Sequence, residues 1–229
     1  MKSGFGGCMK NIAVILSGCG FLDGAEIHEA TLTLLALDVA GASYQCAAPS
    51  IMQTAVVNHV SRGKSGEDRN VMDESARIAR CKILDVRDLK VADYDAVMIP
   101  GGYGVASNLC SLASDGPAMT VNPDVAAFLV AMHKAGKPIA ALCIAPPLLA
   151  WTLKQCGVSG AALTIGNDPG TASVIKAFGQ KHVECPATDC VVDAANKIVT
   201  SPAYMTAKSI GEVWSGVGKT VDALLGMCR

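Results

Sequence analysis

Residues 138–147 read Pro-Ile-Ala-Ala-Leu-Cys-Ile-Ala-Pro-Pro, and the order of those residue types points to one local structure. Pro138–Leu142 is short, apolar and uncharged, as a strand covered on both faces of a parallel sheet must be. Cys143 follows at once. A nucleophile on a sharp strand-to-helix turn needs small residues two places before and two after it, because larger side chains collide across the turn; Ala141 and Ala145 meet that need. Pro146 and Pro147 suit the first turn of a helix, where a missing N–H loses no partner, and the helix is read as running to about Gln155. Such a turn holds Cys143 at a helix N-terminus, whose dipole and free N–H groups favour a thiolate. The other reading of the same spacing is a buried, unreactive cysteine.

Strand-like and helix-like patterns alternate on both sides of this stretch. Strands are expected at Asn11–Leu16, Ser43–Ala48, Asp95–Ile99, Ala162–Ile165, Cys190–Val192 and Lys197–Thr200. Helices are expected at Glu26–Ala40, Pro123–Lys134, Thr171–Phe178 and Thr206–Leu225. Alternation of this kind, with strands apolar on both faces, indicates an α/β fold built on a parallel sheet covered by helices. No repeat and no Pro/Ser-rich linker divides the chain, so residues 10–229 are read as one domain. The polar stretch 58–80 interrupts the rhythm. It reads as a loop followed by a helix over Asp68–Arg80, either a solvated surface element or a lid or subunit contact.

Composition narrows the function classes. Of 229 residues, 51% are hydrophobic and 17% charged, a balance that excludes a disordered chain. A net charge of -1 supplies no basic field for nucleic acid or an anionic membrane, and no apolar run reaches the roughly 18 residues of a membrane span. Residues 1–9, with three glycines, read as a loose extension rather than a secretory leader, and Met9 as an alternative start. The ten cysteines are scattered without a disulfide framework, which favours a reducing, cytoplasmic setting. Cys185 and Cys190 do not have zinc-ligand spacing.

Ligands of open α/β sheets bind beyond the carboxyl ends of the strands. Besides the cysteine turn, two segments leave strands at that edge. Pro100-Gly-Gly-Tyr-Gly104 lacks the order of a dinucleotide fingerprint, but its glycines let main-chain N–H groups approach a ligand. Gly102 and Ile144, the residue after the cysteine, are candidate oxyanion donors, and Tyr103 and Asn108 candidate contacts to substrate. Ser17–Glu29 carries Cys19, a candidate resolving thiol, and Glu26 and Glu29 at the start of a helix. Glu26 is read as compensating the helix dipole. Glu29 lies deeper and is a candidate carboxylic acid with a raised pKa; His28 between them is read as facing elsewhere.

Taken together and in this order, ILSGCGFLDGAEIHE, the RNV..ESARIAR insert, IPGGYGVASNL, ALCIAPPLLA and VVDAANKIVTSPAYM resemble the ThiJ/PfpI (class I glutamine amidotransferase-like) superfamily. Within it they are most similar to the bacterial ElbB isoprenoid-biosynthesis glyoxalases. The resemblance covers nearly all of residues 11–225. It implies a Rossmann-like (flavodoxin-like) sandwich, Cys143 on the elbow, Glu29 hydrogen-bonded to its sulfur, no cofactor or metal, and a homodimer. The chain departs from protease-type members, which carry His after the cysteine where Ile144 stands, and from members with a histidine on the strand after the elbow helix, where Leu163–Gly166 has none. Protease, amidase and glutamine amidotransferase activities are therefore disfavoured. The resemblance implies a glutathione-independent glyoxalase that converts small 2-oxoaldehydes to 2-hydroxy acids through a cysteine hemithioacetal. The alternative is a redox sensor in which Cys143 is oxidised without turnover.

Overall fold

The strand alternation written in the sequence becomes two cores back to back. Successive side chains on a strand point to opposite faces. Thus Ala13 and Ile15, Val97 and Ile99, and Ile139 and Ala141 enter one hydrophobic cluster, while Ile12 and Val14, Ala96 and Met98, and Ala140 and Leu142 enter another. All are almost wholly buried, each large aliphatic side chain contributing about 1.5–3 kcal/mol on transfer from water. Neither face can be left to solvent, so the sheet must carry helices on both sides.

The computed structural model describes residues 9–228. All of the expected N-terminal extension except Met9 lies outside the described residues. In chain order the elements are β1 (Asn11–Ile15), α1 (Ile27–Val39), β2 (Ser43–Ala48), α2 (Val71–Ile78), β3 (Ile83–Asp85), β4 (Ala96–Ile99), α3 (Leu112–Asp115), α4 (Pro123–Lys134), β5 (Ile139–Leu142), α5 (Pro146–Gln155), β6 (Ala162–Leu163), α6 (Pro169–Ala177), β7 (Lys181–His182), β8 (Val191–Asp193), β9 (Ile198–Ser201) and α7 (Ile210–Gly226). Seven strands form one sheet in the order β3-β2-β1-β4-β5-β9-β8, and β6 and β7 form a separate parallel pair. Every neighbour in the large sheet is parallel except β8, which runs antiparallel to β9. Helices α1 and α7 pack together over one face; α4, α5 and α6 cover the other. The expected α/β sandwich with a mostly parallel sheet is the observed one.

The chain winds outward from β1 through β2 to β3, then returns to β4 and winds the other way through β5 to β9. The reversal between β1 and β4 leaves the segments after β1, β4, β5 and β9 at one edge of the sheet, where such folds bind ligands. Some boundaries differ from expectation. The helix expected over Asp68–Arg80 is confined to α2, because Asn70 caps it with its side-chain oxygen. The last helix begins at Ile210 rather than Thr206, since Ser209 is its cap and 203–205 forms a tight turn. Within 105–109 the chain makes one wide π-type turn.

Candidate active site

The elbow is built as the alanines require. Cys143 leaves β5 with φ +56°, a left-handed conformation that costs a residue bearing a Cβ roughly 1–2 kcal/mol. Two hydrogen bonds hold it there. The Cys143 N–H donates to the Ser201 carbonyl on β9 (3.0 Å), and the Ala145 N–H closes the turn onto Leu142 O (2.9 Å). Ala141 and Ala145 are fully buried against the turn, and α5 starts immediately with Pro146 and Pro147.

Glu29 reaches the same point from the first turn of α1. Its N–H is capped by the Glu26 carboxylate at 2.7 Å, which fixes the start of the helix. Its own carboxyl group is completely buried. Oε2 accepts the Gly101 N–H at 2.8 Å and Oε1 accepts the Tyr204 N–H at 3.1 Å. Gly101 explains how sulfur and carboxyl come so close: an added Cβ would overlap the Cys143 Cβ and lie 2.6 Å from Glu29 Oε2 and 3.0 Å from Cys143 Sγ. The Glu29 carboxyl and the N–H groups of Gly102 and Ile144 all lie close enough to the Cys143 sulfur to act on its charge, although none forms a well-aligned hydrogen bond with it.

The electrostatics correct one expectation. Placement at a helix N-terminus was expected to favour a thiolate, but burial and the adjacent Glu29 charge push the Cys143 thiol well up, and the Gly102 and Ile144 amides offset only part of this. Burial also raises the Glu29 carboxyl to about 7, against the pull of the Tyr204 amide, the Cys143 contact and the Gly101 amide. Each anion opposes the other. Above about pH 7 the pair holds one proton, and moving it from sulfur to carboxylate produces a thiolate with no net charge added to the buried site.

Cys143 lines a cavity of about 530 Å³, whose walls also include Gly102, Ile144, Tyr103, Phe21 and Tyr204; the fully buried Glu29 lies behind this wall and is not part of it. Tyr103 is half exposed at its edge. Asn108 and Cys19 are not among the lining residues. The buried Asn108 amide is fully used in tying loops together: it donates to Ser17 O (3.0 Å) and Asp23 O (2.9 Å) and accepts from the Thr54 N–H (2.9 Å). A side chain so committed is a brace, not a substrate contact. Cys19 is half-buried beside Glu74, Arg77, Asp23 and Arg69. No residue of the 58–80 insert lines the cavity; it approaches through His59, whose ring meets the edge of Phe21.

The sequence reading missed Tyr204, Met205, Asp168 and Val174, all in the cavity wall. Tyr204 also fixes Glu29 through its N–H, and its hydroxyl is 2.7 Å from His28 Nδ1, so His28 reaches the cavity rim through a wall residue. One signal was available. The strand at Lys197–Thr200 was expected in the parallel sheet, and whatever follows a parallel strand emerges at the ligand-binding edge.

Comparison with known proteins places this geometry. The DJ-1/PfpI family model matches residues 14–212. The chain is 42% identical over 224 residues to the Homo sapiens protein named glutamine amidotransferase-like class 1 domain-containing protein 3, mitochondrial, covering 93% of this chain and 82% of that protein. It is 34% identical to the ES1 protein, mitochondrial, of Danio rerio, covering 95% and 86%. A crystal structure of an isoprenoid biosynthesis protein with an amidotransferase-like domain from Ehrlichia chaffeensis superposes with a TM-score of 0.87 at 37% identity, over 94% of this chain and 99% of the other. Glyoxalase III of Candida albicans shares the fold, with a TM-score of 0.62 at 16% identity over 96% and 98%. The cytoplasmic setting expected from the scattered cysteines is overturned by these relatives, since the human and Danio rerio proteins are mitochondrial. Free thiols do not distinguish the two compartments.

Proposed function

Because the chain belongs to the DJ-1/PfpI family, we propose that it is a glutathione-independent glyoxalase-type enzyme. It converts small 2-oxoaldehydes to 2-hydroxy acids with Cys143 as nucleophile and Glu29 as proton carrier. The observation that supports this best is the placement of the Cys143 sulfur beside a fully buried carboxyl, both packed against Gly101, with that carboxyl raised to about 7. A proton carrier works best when its pKa matches the working pH. The likeness to ElbB glyoxalases and the shared fold of glyoxalase III point the same way. The names of the human and Ehrlichia relatives raise glutamine amidotransfer, but none of the four histidines lines the cavity to serve as its base.

The steps follow from the shared proton. Glu29 takes the proton of Cys143, and the thiolate adds to the aldehyde carbon, forming a C–S bond. The oxygen that becomes negative is stabilised by the Gly102 and Ile144 amides, about 3–4 kcal/mol for one well-placed donor, and takes the proton from Glu29. The Glu29 carboxylate then removes the C–H proton of the hemithioacetal to give an enediolate and returns it to the neighbouring carbon, while the hydroxyl proton of the hemithioacetal passes to the oxygen on that carbon, leaving a thioester of the 2-hydroxy acid. Water hydrolyses the thioester and the thiol is restored. For glyoxal the sum is glyoxal plus water giving glycolate and one proton.

Purified protein incubated with excess glyoxal is expected to form glycolate over many turnovers. Cys143→Ala is expected to abolish the activity and Glu29→Ala to lower kcat by at least 100-fold, the usual scale for a lost acid–base group. Stoichiometric oxidation of Cys143 by peroxide with no aldehyde converted would replace the enzyme by a redox sensor.

A further inference from the structure

Glyoxal leaves most of the cavity empty. The space of about 530 Å³ is within the range that buries drug-sized ligands. A four-heavy-atom dialdehyde displaces only about two waters, each with a share of roughly 30 Å³. The walls around the spare volume are apolar: Phe21, Ala106, Leu112, Val174 and Met205 contribute rings and aliphatic groups. Charge on the wall is of one sign. Glu26 and Asp168 line the cavity, and no Lys, Arg or His does so. Asp168 caps α6 by accepting the Thr171 N–H at 2.7 Å, and that bond holds its carboxyl below the usual range. An anionic substituent would find no cationic partner on this wall and would face the part-buried Glu26 and the exposed Asp168 carboxylates; the apolar lining penalises such an unpaired anion, while solvent screens the repulsion from Asp168.

We infer that the substrate of this site is a 2-oxoaldehyde bearing an uncharged, apolar substituent of aryl or branched-alkyl size, and that carboxylate- and phosphate-bearing aldehydes are rejected. The inference rests on the glyoxalase reading for the reacting end of the substrate and on the cavity wall for the remainder. Each methylene matched to an apolar pocket is worth about tenfold or more in discrimination.

The test compares glyoxal, phenylglyoxal and 4-carboxyphenylglyoxal as substrates, with acetophenone and 4-acetylbenzoate as unreactive probes of binding to the Cys143→Ala protein by calorimetry. For phenylglyoxal, kcat/KM is expected at least tenfold above glyoxal and at least tenfold above the carboxylated analogue. Asp168→Asn keeps a good helix cap while removing one charge, and is expected to narrow the gap between the two aryl substrates at least threefold. Acetophenone is expected to bind and 4-acetylbenzoate not to. Cys143-dependent turnover with glyoxal preferred, or with the two aryl substrates used equally, would overturn the substrate assignment and leave the glyoxalase reading standing. If no aldehyde is turned over, the glyoxalase reading falls and the binding arm decides: acetophenone bound in preference to its carboxylate supports the apolar, anion-excluding site, and failure to bind overturns it.

Discussion

Glu29 takes its chemistry from burial and Cys143 from Glu29. With the carboxyl raised to about 7, the pair carries two protons in mild acid and one above neutrality, and only the one-proton state contains a thiolate beside a carboxylic acid. The value of kcat/KM for glyoxal is therefore expected to rise with pH through an apparent pKa near 7, up to tenfold per pH unit on the acid side. Glu29→Gln should erase that inflection along with most of the activity. A wild-type profile flat from pH 5.5 to 8.5 would detach the carboxyl from the reaction. At this scale the sequence is legible where contacts are local. Ala141, Cys143 and Ala145 can be recognised as a turn because their collisions occur within five residues. The bond of Tyr204 to Glu29 could not be read, since it joins positions 175 apart; only its place after an expected parallel strand hinted at the site.

Among the elements, the turn between β5 and α5 and the loops after β1 and β4 carry most of the site's precision. Cys143 occupies a backbone conformation that suits glycine, so two variants lacking its sulfur should differ in stability. Cys143→Gly is expected to be about 1 kcal/mol more stable than Cys143→Ala, both lacking the sulfur and only the second keeping a strained Cβ. Equal midpoints in urea would mean that the turn is unstrained. Asn108 acts at the same scale. Asn108→Ala strands the Ser17 carbonyl and the Thr54 N–H and leaves the Asp23 carbonyl with only its Gln53 donor, and is expected to destabilise the fold by roughly 2–4 kcal/mol. Hydrogen exchange should speed up at 17–24 and around Thr54 before it does in the central strands. Elements long enough to show a period, such as α4 and β2, were readable to the residue. The three-residue edge strand β3 was not, because Ile83–Asp85 is too short to alternate and is defined by its partner β2. Nor did 105–109 announce its wide turn.

Over the whole molecule, burial of one ionisable group links the site to stability. The Glu29 pKa is higher in the folded protein, about 7 against an ordinary 4.5, so the folded state binds more protons between those values. Its stabilising contribution is full below about 4.5 and is lost as pH rises through about 7, a change of roughly 3 kcal/mol in a group that is completely buried. Urea unfolding between pH 4.5 and 8 is expected to show this decline, and Glu29→Gln to flatten it; an equal slope in both proteins would count against the assignment. The α/β architecture was legible as a whole because strands covered on both faces leave no other layer arrangement. Compartment was not legible, since nothing in the composition distinguishes one reducing interior from another.

The Glu29 carboxyl is gripped by an amide from residue 101 and an amide from residue 204, while the Cys143 amide hangs from residue 201. A growing polypeptide that has emerged only as far as β5 therefore already carries its thiol but lacks the last anchor of its acid and the peg of its turn. On the proposed reading, the acid and the thiol are brought together only once the final strand has docked. The proposed activity would then require complete assembly, and fragments released early would be left with an ordinary, idle cysteine.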